Sequence, residues 1–490
     1  GLHNMSNLSE LLPAGAGAKS AEFVASGTLA SGQTVALKAD GTVEAVSSTS
    51  ISQGAGSNAT FNTGSTIDVE VAYDIGNNKF VFVYADFGNS SYGTAVVGTV
   101  SGTSISFGTE VVFESGSVRF SLDVVYDSNA GKVVAVFEDF GNSSYGTAVV
   151  GTVSGTSISF GSPTTFNSGA TDHVGCTFDS TNNKVVVCYE NEANSNYGTA
   201  IVGAVSGTSI SFGSATVFAS ATTTFIAATY ASASGKVVFA YTDDANSSRG
   251  TAVVGTVSGT SISFGSEATY HSVGATDQNS IAYDSDTGKV IVACRFETGS
   301  DYGIAYVGTI SGTSISFGSS TTFNAGTTNE MKLVYDPNAQ LITVFYRDGS
   351  SSSYLKANTG IVSGTSVTWG TEFSLKNYIA TYIGAEYDPD SKQIGVGYRN
   401  NDIGDGYGYA VMYQNPYTST NSANFIGITD QAIADTATGA VIVQGGVSEK
   451  LSGLTVGADY YVQDDGTISA TVSTVPAGRA LSTTSILLEG

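Results

Sequence analysis

The chain has 490 residues, 42 of them acidic and 18 basic, for a net charge of −24, with 60 glycines, 6 prolines, 41% hydrophobic and 10% aromatic residues. Such apolar and aromatic content can build packed cores, which excludes a disordered chain. The negative charge repels phosphate backbones and anionic headgroups, which excludes nucleic acid and bare membrane as partners.

No apolar run reaches the roughly 18 residues of a membrane-spanning helix, so membrane insertion is not expected. The start also lacks the basic and apolar regions of a signal peptide. Cys176, Cys188 and Cys294 are an odd number without metal-type spacing, which argues against a disulfide framework or zinc site. No cofactor is expected.

Gly1-Leu-His-Asn4 reads as a vector remnant ahead of a start at Met5. Residues 5–46 then read as short strands with an Asp-Gly turn, as in Gln33–Lys38 and Thr42–Val46. From Ser101 onward a repeat takes over. Ser-Gly-Thr-Ser begins at Ser101, Ser154, Ser206, Ser258, Ser311 and Ser363, in steps of 53, 52, 52, 53 and 52 residues. A period near 50 marks propeller blades. Asp86–Gly108 and Asp139–Gly161 are identical over 23 residues.

Within one repeat four strands are predicted: A at Ser121–Tyr126, B at Lys132–Phe137, C at Gly146–Val153 and D at Thr156–Phe160. The A-strand anchor is Asp74, Asp127, Asp179, Ala231, Asp284, Asp336 and Asp388, giving seven A strands against six D strands downstream of them. Ser47–Gly54 matches the D pattern and is expected to close the last blade, leaving no open sheet edge at the junction. Gly98, Gly151, Gly203, Gly255, Gly308 and Gly360 recur inside strand C and are expected to allow close approach between blades. The fold class is thus all-β: a seven-bladed β-propeller of four-stranded antiparallel blades over 47–416, plus a small β module made by both termini, 5–46 and 417–490.

The end segments carry ordered motifs. They are Met5-Ser-Asn-Leu-Ser-Glu-Leu-Leu-Pro-Ala-Gly15, Gly27-Thr-Leu-Ala-Ser-Gly-Gln-Thr-Val-Ala-Leu37, Asn424-Phe-Ile-Gly-Ile428, Ser452-Gly-Leu-Thr-Val-Gly-Ala-Asp-Tyr-Tyr-Val-Gln-Asp-Asp-Gly-Thr467 and Ala477-Gly-Arg-Ala-Leu-Ser482. This set resembles the terminal segments of tailed-bacteriophage tail-fibre or virion-appendage proteins. The resemblance implies a particle-side or stalk module carrying a host-facing insert, on a virion exposed to the extracellular medium after release. It also implies other virion structural proteins as partners and a homo-oligomeric assembly.

Strand alternation puts all B–C loops on one face. They run Asp86–Tyr92, Asp139–Tyr145, Asn191–Tyr197, Asp243–Arg249, Phe296–Tyr302, Asp348–Tyr354 and Asn400–Tyr407. Amides and aromatic faces suit a polyhydroxylated ligand, so Asn89, Tyr92, Asn142, Tyr145, Asn194, Tyr197, Tyr302, Tyr354 and Tyr407 are candidate glycan contacts. Plain polar turns are the alternative.

At the end of strand B one repeat position reads Ala85, Glu138, Glu190, Thr242, Arg295, Arg347 and Arg399. Three arginines together could hold an acidic sugar through their planar guanidinium groups. The alternative is structural salt bridges to acids such as Asp348 or Asp402. An arginine triad on a propeller is similar to the arrangement in sialidases, with Glu138 and Glu190 as carboxylates for glycoside chemistry. The chain lacks a Ser-x-Asp-x-Gly-x-Thr-Trp box, however, and the acids and arginines fall on different sides of the ring.

His173 and His271 read as isolated rim residues, and Asp284-Ser-Asp-Thr-Gly288 and Asp388-Pro-Asp390 as turn caps rather than calcium loops. The expected function is non-catalytic binding of a cell-surface glycan by a virion appendage. The alternatives are a polysaccharide-degrading glycosidase of a phage appendage and a structural spacer.

Overall fold

A computed structural model of the protein describes residues 20–297, 301–401 and 406–489, without the Phe120 side chain. The Met5–Gly15 motif, part of the Phe296–Tyr302 loop and Asp402 lie outside these residues. The chain divides into two compact units, Gly1–Ile51 with Pro416–Gly490, and Ser52–Asn415.

The larger unit is a succession of four-stranded antiparallel sheets. In one of them strand B is Lys132–Asp139, strand C Tyr145–Ser154 and strand D Ser157–Phe160. Strand B reads Lys-Val-Val-Ala-Val-Phe-Glu-Asp and is buried along almost its whole length. It is a central strand covered on both faces, which is why its apolar residues form a run instead of alternating.

In this repeat strand A is the second half of a longer strand that begins after the short link 108–110. The chain Val111–Asp127 is one strand that first pairs with strand C of the preceding sheet and then with Lys132–Asp139 of its own. The crossing is likewise continuous at Thr164–Asp179, Thr216–Ala231 and Phe373–Asp388, and is split in two at Ala59–Asn62 with Thr66–Asp74, Ala268–Thr269 with Thr276–Asp284 and Thr321–Asn324 with Thr328–Asp336. The crossing is accommodated by register shifts, chiefly a bulge that sets three residues opposite Glu138 between Val118 and Leu122.

The anchor aspartates end strand A by capping the A–B turn. Asp127 Oδ1 accepts from the Asn129 and Ala130 amides at 3.0 and 2.9 Å. Asp284 does the same for Asp286 and Thr287, and Asp388 for Asp390 and Ser391. A short acid accepting two local amides satisfies a turn that no ladder serves.

Two sets of glycines have different work from the expected one. A Cβ on Gly98 would meet Ile105 at 2.7 Å and Phe107 at 3.2 Å, side chains of the neighbouring D strand in the same sheet. The close approach between sheets belongs instead to the glycine after strand D. A Cβ on Gly108 would lie 1.8 Å from the Thr156 carbonyl oxygen of the next sheet, and the same contact recurs at Gly161, Gly213, Gly265 and Gly318.

Gly56 makes this contact too, 1.9 Å from the Thr103 oxygen, whereas nothing lies within 4 Å of a Cβ on Gly54. The register of the closing segment is thus two residues beyond the Ser47–Gly54 match. Gly54–Ala55 and Ala59–Asn62 pair with Gly408–Gln414 as the outer edge of the last sheet. On the inner side Gly384 packs on the Val69 carbonyl of the first sheet, which closes the ring.

The smaller unit interleaves both ends of the chain. One sheet runs Ser20–Val24, Thr438–Val443, Phe425–Thr429, Thr34–Leu37, Val43–Ala45, and a second is built from 447–488. Ala36, Val46, Ile428, Tyr460, Val462 and Ile486 share one core. Matching Asp-Gly turns use the same cap: Asp40 accepts from Thr42, and Asp465 from Thr467. Ser48–Ile51 and Tyr417–Thr420, the strands leading into and out of the larger unit, pair antiparallel.

Candidate functional site

The B–C turns begin with a single 3₁₀ turn, as at Phe87–Asn89, Phe140–Asn142, Glu192–Asn194 and Asp244–Asn246. Two left-handed residues follow, Ser90 and Ser91 in the first and Ser143 and Ser144 in its copy. Non-glycine residues there carry strain that the surroundings must offset. The offset is visible: the Ser91 carbonyl accepts from Val118 N at 2.8 Å, and the Ser144 carbonyl from Thr171 N at 2.9 Å. Each turn is thereby tied to the crossing strand of the next sheet.

This puts Asn89, Asn142 and Asn194 at exposed tips, with Tyr92, Tyr145, Tyr197, Tyr354 and Tyr407 half-buried and Tyr302 exposed where strand C begins. Beside the first two tips is a feature that polarity alone does not reveal. Phe87 and Phe140 are 42% and 51% exposed, and the Arg119 guanidinium lies between them, 5.4 and 5.1 Å from the ring centres. Arg119 Nε donates to Ser117 Oγ at 3.2 Å. Its other nitrogens have no hydrogen-bond partner among the described residues. In the later repeats the phenylalanine position holds Glu192, Asp244, Glu297, Gly349 and Asn401, so this stack is confined to the duplicated pair.

Nearer the axis, strand A bulges at one repeat position where Asp68, His173, Phe225, Gln278, Glu330 and Tyr382 all have positive φ, between 45° and 57°. The bulge couples neighbouring sheets: the Glu330 amide donates to Gln278 Oε1, and the Tyr382 amide to Glu330 Oε2.

The end-of-B position lies directly across from this bulge, and the partner decides each residue's state. Arg295 faces Asp277, gripping both carboxylate oxygens, while Nη1 donates to Asn329 at 2.7 Å and Nη2 reaches Glu297 at 3.4 Å. Arg347 is 3.3 Å from Glu330. Its Nε, like that of Arg399, has no partner among the described residues. Asp348 caps its own loop through Ser350 and holds no arginine.

Glu190 faces Asp172 and is buried, and Glu138 is half-buried. Burial first, then Asp172 and Glu192 nearby, lifts the Glu138 carboxyl to about 7, against the pull of Ser144 and Arg119. Burial with Asp172, Glu192 and Asp244 lifts Glu190 to about 8. Burial pushes His173 below its ordinary value. The structure thus gathers the acids of the second and third repeats on one arc, and Arg295, Arg347 and Arg399 on another.

Inward of both arcs the A strands line an axial cavity of about 610 Å³. Lys332 pairs with Glu70 at 2.5 Å there, and Asp123 accepts from the Cys176 amide at 2.7 Å. Burial lifts Glu70 and Glu386 to about 7. Sequence reasoning passed over Arg119, Phe87, Phe140 and this inner layer. An apolar residue repeated at an otherwise polar turn was the available signal for the first group.

No protein-family model and no curated protein matches the chain. Among solved structures it is similar to the BP39L lectin from Burkholderia pseudomallei, with a TM-score of 0.54 and 10% identity over 73% of this chain and 99% of that one. It is also similar to the Myceliophteria thermophila Cps50 (Swd1) β-propeller domain, at TM-score 0.46 and 8% identity over 72% of this chain and 99% of that one. A third is the Trypanosoma rangeli sialidase in complex with the inhibitor DANA, at TM-score 0.40 and 14% identity over 62% and 56%. The fold of the repeat unit is a β-propeller.

Proposed function

We propose that the repeat unit is a seven-bladed propeller that binds a cell-surface glycan, without cleaving it, through its B–C face. The observation that carries this reading is the exposed Phe87–Arg119–Phe140 stack beside the Asn89 and Asn142 tips. Exposed rings offer the apolar face that sugar C–H surfaces need, and flanking amides and a guanidinium serve the hydroxyls. The fold shared with a lectin supports the same reading. In this proposal the smaller unit attaches the ring to a larger assembly, a virion appendage or tail fibre, with other virion proteins and further copies of the chain as partners.

A second reading is favoured by Glu138 and Glu190, whose lifted carboxyls could act as a general acid near neutral pH in a polysaccharide-degrading enzyme. Glycan-array binding with product analysis separates the two. Arg119→Ala and Phe140→Ala are each expected to weaken binding by about 10-fold, equivalent to about 1.4 kcal/mol, with the glycan recovered intact. Oligosaccharide release would establish the enzyme, and absence of binding to any glycan would leave a structural spacer.

A further inference from the structure

We infer that Asp172, His173 and Glu190 form a binding site for one divalent transition-metal ion. The ligand atoms of these three side chains all lie within 4.8 Å of one another. Asp172 and Glu190 are directly opposed across the ladder. Successive strand residues normally point to opposite faces. His173 has φ 47°, and this left-handed step in the bulge brings its imidazole to the side of the two carboxylates.

The His173–Glu190 spacing suits two ligands of one ion and is too long for a closed hydrogen bond. His173 Nε2 and Glu190 Oε2 are 3.9 Å apart, beyond the roughly 3.2 Å limit of an N–H···O contact. Two donors each about 2.1 Å from a shared ion sit about 3 to 4 Å apart. His271 provides the contrast, since its Nδ1 meets the Tyr306 hydroxyl at 2.6 Å and its Nε2 the Val273 carbonyl, so both nitrogens are occupied.

The charges around the site favour a cation. Glu190 is 4% exposed, and the groups acting on it are Asp172, Glu192 and Asp244, with Asn196 as its hydrogen-bond partner. The same acids act on His173. The nearby Arg119 acts at Glu138 and is held in its aromatic stack. A buried carboxylate among like charges is costly unless paired, and the salt-bridge contact of Glu190 among the described residues is His173 Nε2 at 3.9 Å. One imidazole and two carboxylates suit manganese or zinc, whereas calcium takes oxygen ligands alone. Asp172 and His173 are half-buried, with the His173 side chain 25% exposed, so solvent reaches the site.

The test uses the full chain, stripped with EDTA and titrated with Mn²⁺, Zn²⁺ and Ca²⁺. One Mn²⁺ or Zn²⁺ per chain is expected, with Ca²⁺ at least 10-fold weaker. His173→Asn and Glu190→Gln should each weaken binding at least 10-fold, while Asp244→Asn changes it by no more than about 3-fold. Asparagine accepts the left-handed backbone of residue 173, and glutamine preserves the shape of Glu190. Electron-spin-echo spectroscopy of the Mn²⁺-loaded wild type should report a directly bound imidazole nitrogen, a readout that needs no variant to fold. Absence of stoichiometric binding, absence of the nitrogen signal, or undiminished affinity in either ligand variant overturns the proposal.

Discussion

Glu386 shows how one residue sets a pH dependence in the propeller. It faces the axial cavity from the last A strand, and burial lifts its carboxyl to about 7 against the pull of Lys332 and the Tyr387 amide. The unfolded chain loses this proton near pH 4.5. Between about 4.5 and 7 the native state therefore holds a proton that the unfolded state has released, and stability falls as pH rises through that window. Glu386→Gln should match wild type near pH 4.5 and be more stable above pH 7. Because the side chain is partly open to the cavity, the gain is about 1 to 2 kcal/mol. Thermal unfolding across that range checks it, and equal midpoints at pH 7.5 would refute it.

Residue identity at the end of strand B was readable from the repeat, but the state of each side chain was not. The Glu190 and Arg295 positions are equivalent and both face an aspartate, so the same neighbour repels the acid at one and grips the arginine at the other. Cross-strand neighbours determine whether a charge is closed off or left available. The facing residue borders the bulge, whose two-against-one register there cannot be counted from a period-two pattern. For the same reason the inner layer of Glu70, Asp123 and Lys332 was invisible until strand A was seen to bulge.

At the scale of elements, the glycine after strand D governs how neighbouring sheets meet. Gly161→Ala places a methyl about 1.9 Å from the Thr208 carbonyl oxygen, a backbone atom that cannot swing aside. Destabilisation by about 2 to 3 kcal/mol is expected. Gly56→Ala, against the Thr103 oxygen, should cost about as much, whereas Gly54→Ala should cost less than about 1 kcal/mol. Denaturant unfolding of the three variants distinguishes the two registers of the closing segment, since equal effects at 54 and 56 would argue against the pairing described. The strands themselves were legible: Lys132–Asp139, Tyr145–Ser154 and Ser157–Phe160 extend the expected B, C and D by at most two residues or trim them by one. Ser-Gly and Asp-x-x-x-Gly turns punctuate them on both sides. The continuous crossing strand was not legible, because the bend within Val111–Asp127 is made by bulges, one of them around Gly116, and a glycine between two apolar runs reads equally well as a turn.

At the scale of the molecule, two separately cored units share one chain. Ile428→Ala, at a fully buried position in the smaller unit, should cost that unit about 2 to 5 kcal/mol. Calorimetry should then show one transition moving down while the propeller transition stays within about 1 °C. A single transition moving as a whole would show that the two units unfold together. The Asp-Gly turns at Asp40 and Asp465 made both ends readable as β structure. Their interleaved order in one sheet depends on pairings more than 390 residues apart, such as Thr34 with Ile428, which no local pattern encodes.

The paired strands Ser48–Ile51 and Tyr417–Thr420 also bear on mechanics. Entry to and exit from the propeller are hydrogen-bonded neighbours, so tension between the two ends of the smaller unit is carried by that unit's sheets and by this ribbon. The ring is a side branch on the force path: the smaller unit can be pulled without load passing through the blades.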